Sequence, residues 1–137
     1  MEYAINYLAV LVAAIASMII ESLWYGPLFG KVWISLMGFT EEKIKEVKAK
    51  GMSKTYAVAF LGSLVTAYVL AHFAIRWGAA GVGGAFELAF WIWLGFIVTT
   101  MLGSVLWEGK PVKLYILNTV YYLVSFFVMA IILVSWK

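Results

Sequence analysis

The chain has 137 residues, of which 65% are hydrophobic and 12% are charged, and its formal net charge at pH 7 is +3. Soluble domains are about 45 to 50% hydrophobic, so this composition excludes an ordinary soluble fold and predicts an all-α integral membrane protein. The absence of cysteine excludes disulfides, cysteine nucleophiles and thiolate metal sites. The sequence contains no motif typical of a cofactor or metal site, so neither is expected.

Four long apolar stretches follow one another along the sequence, at residues 4–28, 55–77, 86–107 and 113–135. A helix needs about 20 mainly apolar residues to cross a bilayer, and each stretch meets this requirement. The sequence therefore predicts one transmembrane domain over residues 1–137, folded as a four-helix bundle.

Lysine is distributed unequally between the connections, which predicts the orientation of the bundle. The loop at 31–54 and the third loop carry Lys31, Lys43, Lys45, Lys48, Lys50, Lys54, Lys110 and Lys113, whereas the other side carries Arg76 and Lys137. Basic loops stay in the cytoplasm, so both termini are expected outside in a multi-pass protein of the cell membrane. We expect membrane lipids as partners, with anionic headgroups at the lysine-rich loop, and no nucleic acid.

The lysine-rich loop contains a predicted short helix at 41–50. Thr40 is a typical N-cap residue, and Gly51 is a typical helix stop. The four-residue spacing of opposite charges also predicts two ion pairs in this helix, Glu41–Lys45 and Glu46–Lys50.

Three of the four apolar stretches carry small residues at four-residue spacing. In lipid, helices associate through close van der Waals packing, and small residues allow their backbones to approach. The predicted interfaces are Ala9, Ala13 and Ser17 in the first helix, Ala59, Ser63, Ala67 and Ala71 in the second, and Gly95, Thr99 and Gly103 in the third. The spacing leaves open whether these faces pack within one chain or between copies, and we expect a homo-oligomer.

Glu21 is the main candidate for a functional residue. It lies one turn after Ser17 on the same helix face, about 9 Å inside the cytoplasmic boundary for a rise of about 1.5 Å per residue. Acidic residues at such depth are costly and commonly mark ion or proton pathways. The expected transport site joins these two residues to polar residues of the second half, namely Thr99, Thr100, Glu108, Asn118 and Tyr122. In the alternative interpretation, Glu21 reaches the headgroups or is a structural hydrogen-bond donor.

A second polar cluster is predicted near the outer surface. Tyr68, His72 and Arg76 recur every four residues and share one face of the second helix. Glu87 opens the third helix after a glycine-rich segment at 78–84, interpreted as a flexible hairpin, and we expect it to pair with Arg76. His72 is a candidate pH-sensitive gate, and the alternative is a hydrogen-bonded packing residue.

The first helix is followed by a distinctive segment, Trp-Tyr-x-Pro-Leu-x-Gly-x-x-Trp, formed by Trp24, Tyr25, Pro27, Gly30 and Trp33. With Trp107-Glu108-Gly109-Lys110-Pro111 and Asn118, the chain resembles over nearly its whole length a widespread family of small prokaryotic membrane proteins of unknown function. The resemblance implies four membrane helices without supplying an activity. It also implies a small residue at the position of Glu21, which would give any role common to the family to Trp24, Tyr25, Pro27, Glu108, Lys110 and Asn118.

Two functions remain open from the sequence. A small homo-oligomeric transporter or channel for an ion or small solute accounts for the polar inner residues and is the preferred hypothesis. A structural, lipid-associated or partner-stabilising membrane protein, docking through its basic loop, is the alternative. An enzyme is not expected, because one histidine, no cysteine and no clustered carboxylates leave too few groups for catalysis.

Overall fold

The computed structural model describes residues 3–136, so Lys137, counted above on the outer side, lies outside the described part of the chain. All regular secondary structure in the described residues is helical, which confirms the all-α prediction. Four helices are long and apolar enough to cross a membrane, and they run Tyr7–Leu28, Ser53–Trp77, Gly81–Leu106 and Val112–Ser135. We number them spans one to four.

Two of the spans contain wider, π-helical turns. Span one consists of α1 (Tyr7–Leu23) and a π-helical turn (Trp24–Leu28). The short helices α2 (Gly30–Met37) and α3 (Glu41–Lys50) lead to span two, which is the single helix α4 (Ser53–Trp77). Span three consists of α5 (Gly81–Ile92), a π-helical segment (Trp93–Val98), α6 (Thr99–Met101) and α7 (Gly103–Leu106). Span four is α8 (Val112–Ser135).

Hydrogen bonds between distant residues show that spans one and four run in opposite directions. Near the chain termini, the Asn6 side-chain nitrogen donates to the Trp136 carbonyl oxygen at 3.1 Å. At the opposite end of the bundle, the Tyr25 hydroxyl donates to Asn118 Oδ1 at 2.6 Å. We call these ends the terminal end and the lysine end, because the second carries the lysine-rich connections.

The core lies towards the terminal end, where the helices pack closely through alanines. Ala13, Ala67 and Ala130 are fully buried and belong to one continuous core cluster. The central helix is α8, which packs against α1, α4 and α5. Towards the lysine end, packing is looser, and the two π-helical segments, α6 and α7 contain no buried residue. Small side chains therefore give close helix contact at one end of the bundle only.

Two of the three predicted small-residue ladders pack within the chain. The α1 ladder is buried from Ala9 to Ser17, and α1 packs against α4, where Ala67 of the second ladder is buried. The third ladder differs, because Gly95 and Thr99 are exposed on span three. No helix in the described part of the chain covers this third face.

The connections differ from the prediction in two places. Span three begins at Gly81 and not at residue 86, because most of the glycine-rich segment joins the helix and leaves a turn of residues 78–80. Gly78 makes this turn in a left-handed conformation (φ 71°) that favours glycine. The lysine-rich loop also contains an additional helix, α2, which ends at the left-handed Gly38 (φ 73°).

The exposed helix α3 lies where the charge pattern predicts it. Thr40 caps its first turn, since the threonine side chain accepts a backbone N–H hydrogen bond at 3.2 Å. Glu46 and Lys50 form the predicted ion pair at 3.8 Å. The other predicted pair, Glu41–Lys45, does not form.

A sharp bend follows α1 at the lysine end. Pro27 has no N–H to donate, and Gly26 departs from helical geometry (φ −112°, ψ −105°). The next helix starts so close to the bend that a Cβ on Gly30 would lie 2.8 Å from the Tyr25 carbonyl oxygen. Glycine is therefore required at this contact unless the backbone shifts. We call residues 24–33 the elbow.

We expect Gly30→Ala to lower the free energy of unfolding by about 1 to 3 kcal/mol, because the added methyl group must displace the backbone at Tyr25. Thermal unfolding in detergent measures the change. Gly83→Ala is the matched control, since Gly83 is also helical and nothing lies within 4 Å of a Cβ built there. The control should be as stable as the wild type or more stable. Equal losses in the two variants would contradict the steric role of Gly30.

Candidate functional site

A polar cleft opens between α1, α4 and α8, on the lysine-end side of the core. Its volume is about 300 Å³. One face of each helix lines it, with Ser17 and Glu21 from α1, Ala59, Gly62, Ser63 and Thr66 from α4, and Tyr121, Tyr122, Ser125, Phe126 and Met129 from α8. We call this space the Glu21 cleft.

Ser17 marks the boundary between the core and the cleft. It is buried, and its Oγ lies 3.0 Å from the Ser63 Oγ and 3.2 Å from the Ala14 carbonyl oxygen. These contacts give the hydroxyl groups polar partners and join α1 to α4 where the alanine packing ends.

Glu21 lies one helical turn beyond Ser17 and is partly buried. Its carboxylate makes no hydrogen bond and no ion pair with any residue in the described range 3–136. An ionised carboxylate away from bulk water is costly unless a positive charge or a hydrogen-bond donor compensates it. The geometry therefore leaves the Glu21 carboxylate available to a cation, a proton or water.

Two tyrosines form the α8 wall of the cleft. Tyr121 is buried, and its ring centroid lies 5.0 Å from that of Tyr122 and 5.3 Å from that of Tyr25, both in edge-to-face arrangements. Tyrosine hydroxyls both donate and accept hydrogen bonds, and tyrosine ring faces attract cations. The cleft thus combines one carboxylate with hydroxyl groups and aromatic rings, a set that favours a positively charged ligand.

The elbow packs against the cleft from the lysine end. Tyr25 donates to Asn118, and its ring lies edge-on to Trp33 at a centroid distance of 5.5 Å. The ring centroids of Trp24 and Tyr121 are 6.2 Å apart. The indole Nε1 of Trp24 is buried without a hydrogen-bond partner in the described part of the chain. Asn118, predicted as a transport residue, therefore supports the cleft through Tyr25 and does not line it.

Three further residues of the predicted transport site lie away from the cleft. Thr99, Thr100 and Glu108 are exposed on span three or just after it. Span three packs against α8, where the Trp93 indole N–H donates to the Thr119 carbonyl oxygen at 2.6 Å. Thr99 and Thr100 lie on the surface of the bundle away from the cleft, and Glu108 follows the end of span three.

The structure brings together Ser17, Glu21 and Tyr122 from the predicted site. Sequence reasoning missed Thr66 and Tyr121 as cleft residues. A signal for Thr66 was present, since it follows Ser63 by three residues and extends the face of the second ladder with a hydroxyl group. The sequence does not distinguish Tyr121 from Tyr122 as a cleft residue, because the two tyrosines are consecutive and flank the same helix face.

The predicted outer cluster forms around Tyr3 at the terminal end. Tyr68 and His72 pack edge-to-face at 4.6 Å, and the Tyr3 hydroxyl lies 2.7 Å from His72 Nδ1. Arg76 donates to the same hydroxyl at 3.2 Å and lies over the Tyr3 ring. The predicted ion pair between Arg76 and Glu87 is wrong, because Glu87 is exposed on α5 and Arg76 contacts Tyr3 instead.

These features define a small all-α protein with four helices long and apolar enough to cross a membrane and a carboxylate in a polar cleft between them. Residues 8–134 match DUF1761, a family described as proteins of unknown function, and the chain belongs to this family. No curated protein and no solved structure matches the chain. The predicted membership of an uncharacterised family is confirmed, whereas the elbow motif as a feature of that family stays a prediction.

We expect Tyr25 and Asn118 to be energetically coupled, because their hydrogen bond joins the elbow to α8. Tyr25→Phe and Asn118→Ala should each lower the free energy of unfolding by about 1 kcal/mol. The double variant should lose less than the sum, with a coupling of about 0.6 kcal/mol. Unfolding in detergent measures all four proteins. Tyr56→Phe, at an exposed tyrosine of α4, is the control and should add simply to Asn118→Ala. Additivity in both pairs would contradict the coupling.

Tyr3 should hold the segment before α1 against α4, because its hydroxyl contacts both His72 and Arg76. Tyr3→Phe removes these two polar contacts and keeps the ring that packs against His72. We therefore expect the substitution to loosen the start of span one.

Hydrogen exchange of the backbone amides of residues 4–9 measures this effect as a protection factor. We expect lower protection in Tyr3→Phe than in the wild type. Tyr56→Phe, at an exposed tyrosine of α4, is the matched control and should exchange as the wild type does. Equal protection in Tyr3→Phe and the wild type would contradict the role of the Tyr3 hydroxyl.

Proposed function

We propose that this protein is a multi-pass protein of the cell membrane that acts as a small homo-oligomeric transporter or channel for cations, with Glu21 as the ion site. The observation that carries the proposal is the unpaired Glu21 carboxylate in a polar cleft that also contains the hydroxyl groups of Ser17, Ser63 and Tyr122. Carboxylates within membrane spans are costly and commonly serve ion or proton pathways.

The proposed orientation follows the distribution of lysine. Both lysine-rich connections lie in the cytoplasm and both termini lie outside, as the bias of basic residues favours. The Glu21 cleft then belongs to the cytoplasmic half of the bundle. A cation that enters it approaches from the side on which the lysine end lies.

The uneven packing of the bundle supports transport. The alanine core closes the terminal end, while the Glu21 cleft separates α1, α4 and α8 nearer the lysine end. A transporter with alternating access requires a state in which the binding site is open to one side only. In the opposite state the site would be open towards the terminal end. That state would require α1 to move relative to α4 near the Ser17–Ser63 hydrogen bond.

Span three supports the homo-oligomeric part of the proposal. Its face with Gly95 and Thr99 is exposed although small residues at this spacing favour close helix contact. A second copy of the chain would cover this face by the same kind of packing that joins α1 to α4. The first two ladders therefore stabilise the fold of one chain, and the third forms the contact between copies.

A second candidate function rests on α3. Nearly all of its residues are exposed, and its lysines extend from the bundle with one internal ion pair, Glu46–Lys50. Such a helix suits docking to anionic headgroups or to an acidic partner. In this alternative the protein is structural or stabilises a partner, and the Glu21 cleft has no transport role. Neither candidate assigns the protein an enzymatic activity.

Flux of protons, of inorganic cations and of organic ammonium ions into proteoliposomes under an imposed potential tests the preferred function. We expect wild-type flux and a fall to the level of empty liposomes with Glu21→Gln, because the amide cannot hold a cation by charge. Glu87→Gln is the matched control, since it removes the same charge from an exposed position on α5. Its flux should equal that of the wild type at the same protein density.

Two outcomes would overturn the assignment. Equal flux with Glu21→Gln and Glu87→Gln would keep permeation but place its site elsewhere. An absence of flux in the wild type would reject transport and favour docking through α3, which replacement of Lys43, Lys45 and Lys48 by glutamine would then weaken.

A further inference from the structure

A second cavity lies beside the Glu21 cleft, towards the terminal end. Its volume is about 250 Å³, and its lining is almost entirely apolar, with Val65, Val69 and Phe73 on α4 and Ile92 on α5. Thr66 and Phe126 line both cavities, so the two spaces adjoin along α4. We call the second space the apolar groove.

The groove exists because α4 and span three pack on α8 and barely on each other. α8 contacts both helices extensively, whereas α4 and α5 make few contacts. Phe126 of α8 therefore forms part of the floor between them. The side chains along the rim, Val65, Val69 and Phe73, are exposed, which leaves the groove open towards the surface of the bundle that lipid would contact.

The two adjoining cavities differ in their linings. The first contains Glu21 together with serine and tyrosine residues, and the second is lined, apart from the shared Thr66, by apolar side chains only. Ser63 lines the cleft and Phe73 the groove on α4. Their separation of ten positions corresponds to about 15 Å at the rise of a helix. An extended dodecyl chain has a similar length.

We propose that the Glu21 cleft and the apolar groove together bind an amphiphilic organic cation, with its positive head at Glu21 and its alkyl chain in the groove. This inference rests on the proposed function, since it names the class of cation that the Glu21 site takes. The charge of the carboxylate complements the head, and the apolar lining complements the chain.

The chemistry of the site favours an organic cation over an inorganic one. A single carboxylate with hydroxyl groups and the rings of Tyr121 and Tyr122 offers few ligands to replace the water shell of a small metal ion. A quaternary ammonium group suits the same surroundings, because aromatic rings and one negative charge are enough to recognise it. The groove allows the alkyl chain to stay in apolar surroundings while the head leaves the membrane interface for Glu21.

Carbodiimide labelling of Glu21 provides a binding assay in lipid nanodiscs. The reagent modifies carboxylic acids in apolar surroundings, and mass spectrometry reports the labelled fraction at residue 21, with Glu21→Gln as the blank. The probes are dodecyltrimethylammonium, tetramethylammonium and dodecyl sulfate. We expect the long-chain cation to protect Glu21 best, the short cation to protect it at higher concentration and the anion not to protect it.

Val69→Trp tests the groove, because the indole fills the space next to Val65 and Phe73 without touching the carboxylate. We expect half-protection by the long-chain cation to require about tenfold more ligand, in line with the cost of overfilling a packed site. Protection by tetramethylammonium should not change. Val58→Trp, on an exposed face of α4 outside both cavities, is the matched control and should behave as the wild type.

The outcomes separate this inference from the function on which it rests. Equal protection by the long and short cations, or no effect of Val69→Trp on either, would overturn the amphiphilic ligand while cation binding at Glu21 stands. An absence of protection by either cation, together with an absence of flux, would overturn both. Protection by dodecyl sulfate would show that the alkyl chain binds without recognition of charge, which contradicts the role given to Glu21.

Discussion

The structure depends on the close approach of α1, α4 and α8 through small side chains. In lipid, the proposed surroundings of this bundle, helices have no hydrophobic reason to associate, so close contact between their backbones supplies the attraction. Ala13, Ala67 and Ala130 provide this contact because they are fully buried and leave no bulk between the helices. The Ser17–Ser63 hydrogen bond ends the tight region. Beyond it α1 and α8 carry Glu21, Tyr121 and Tyr122, and the Glu21 cleft opens between the helices.

The same packing positions the candidate site, the Glu21 cleft. If the alanine packing continued to the lysine end, Glu21 would have no space around it, and a buried unpaired carboxylate would destabilise the bundle. The cleft begins where the packing stops, and the elbow supports its α8 wall, since Tyr25 packs against Tyr121 and donates to Asn118. The elbow can do this because Gly30 lets the chain turn back on the Tyr25 carbonyl group. Fold and site therefore follow from where small residues are placed.

Sequence patterns predicted those features that depend on one helix at a time. Span length, the cap at Thr40 and the shared face of Ser17 and Glu21 are local properties, and the structure has all three. The neighbours of a face are not local. Thr99 belongs to a face of small residues, which favours helix contact. The sequence pattern does not show that span three packs against α8 through its opposite face. The start of span three at Gly81 was missed for a related reason, since glycine has low helix propensity and only tertiary packing favours the helix there.

The most direct test of the central claim is the accessibility of single cysteines along α4, which is feasible because the natural chain has none. Ser63→Cys places a thiol in the Glu21 cleft, and Ala67→Cys places one in the alanine core one turn further along. A membrane-impermeant thiol reagent applied to oriented vesicles should modify the first from the lysine-end side, which is cytoplasmic in the proposed orientation, and leave the second unmodified from both sides. Equal reactivity at the two positions, or modification of Ser63→Cys from the terminal-end side, would contradict a bundle closed at its terminal end and open towards Glu21.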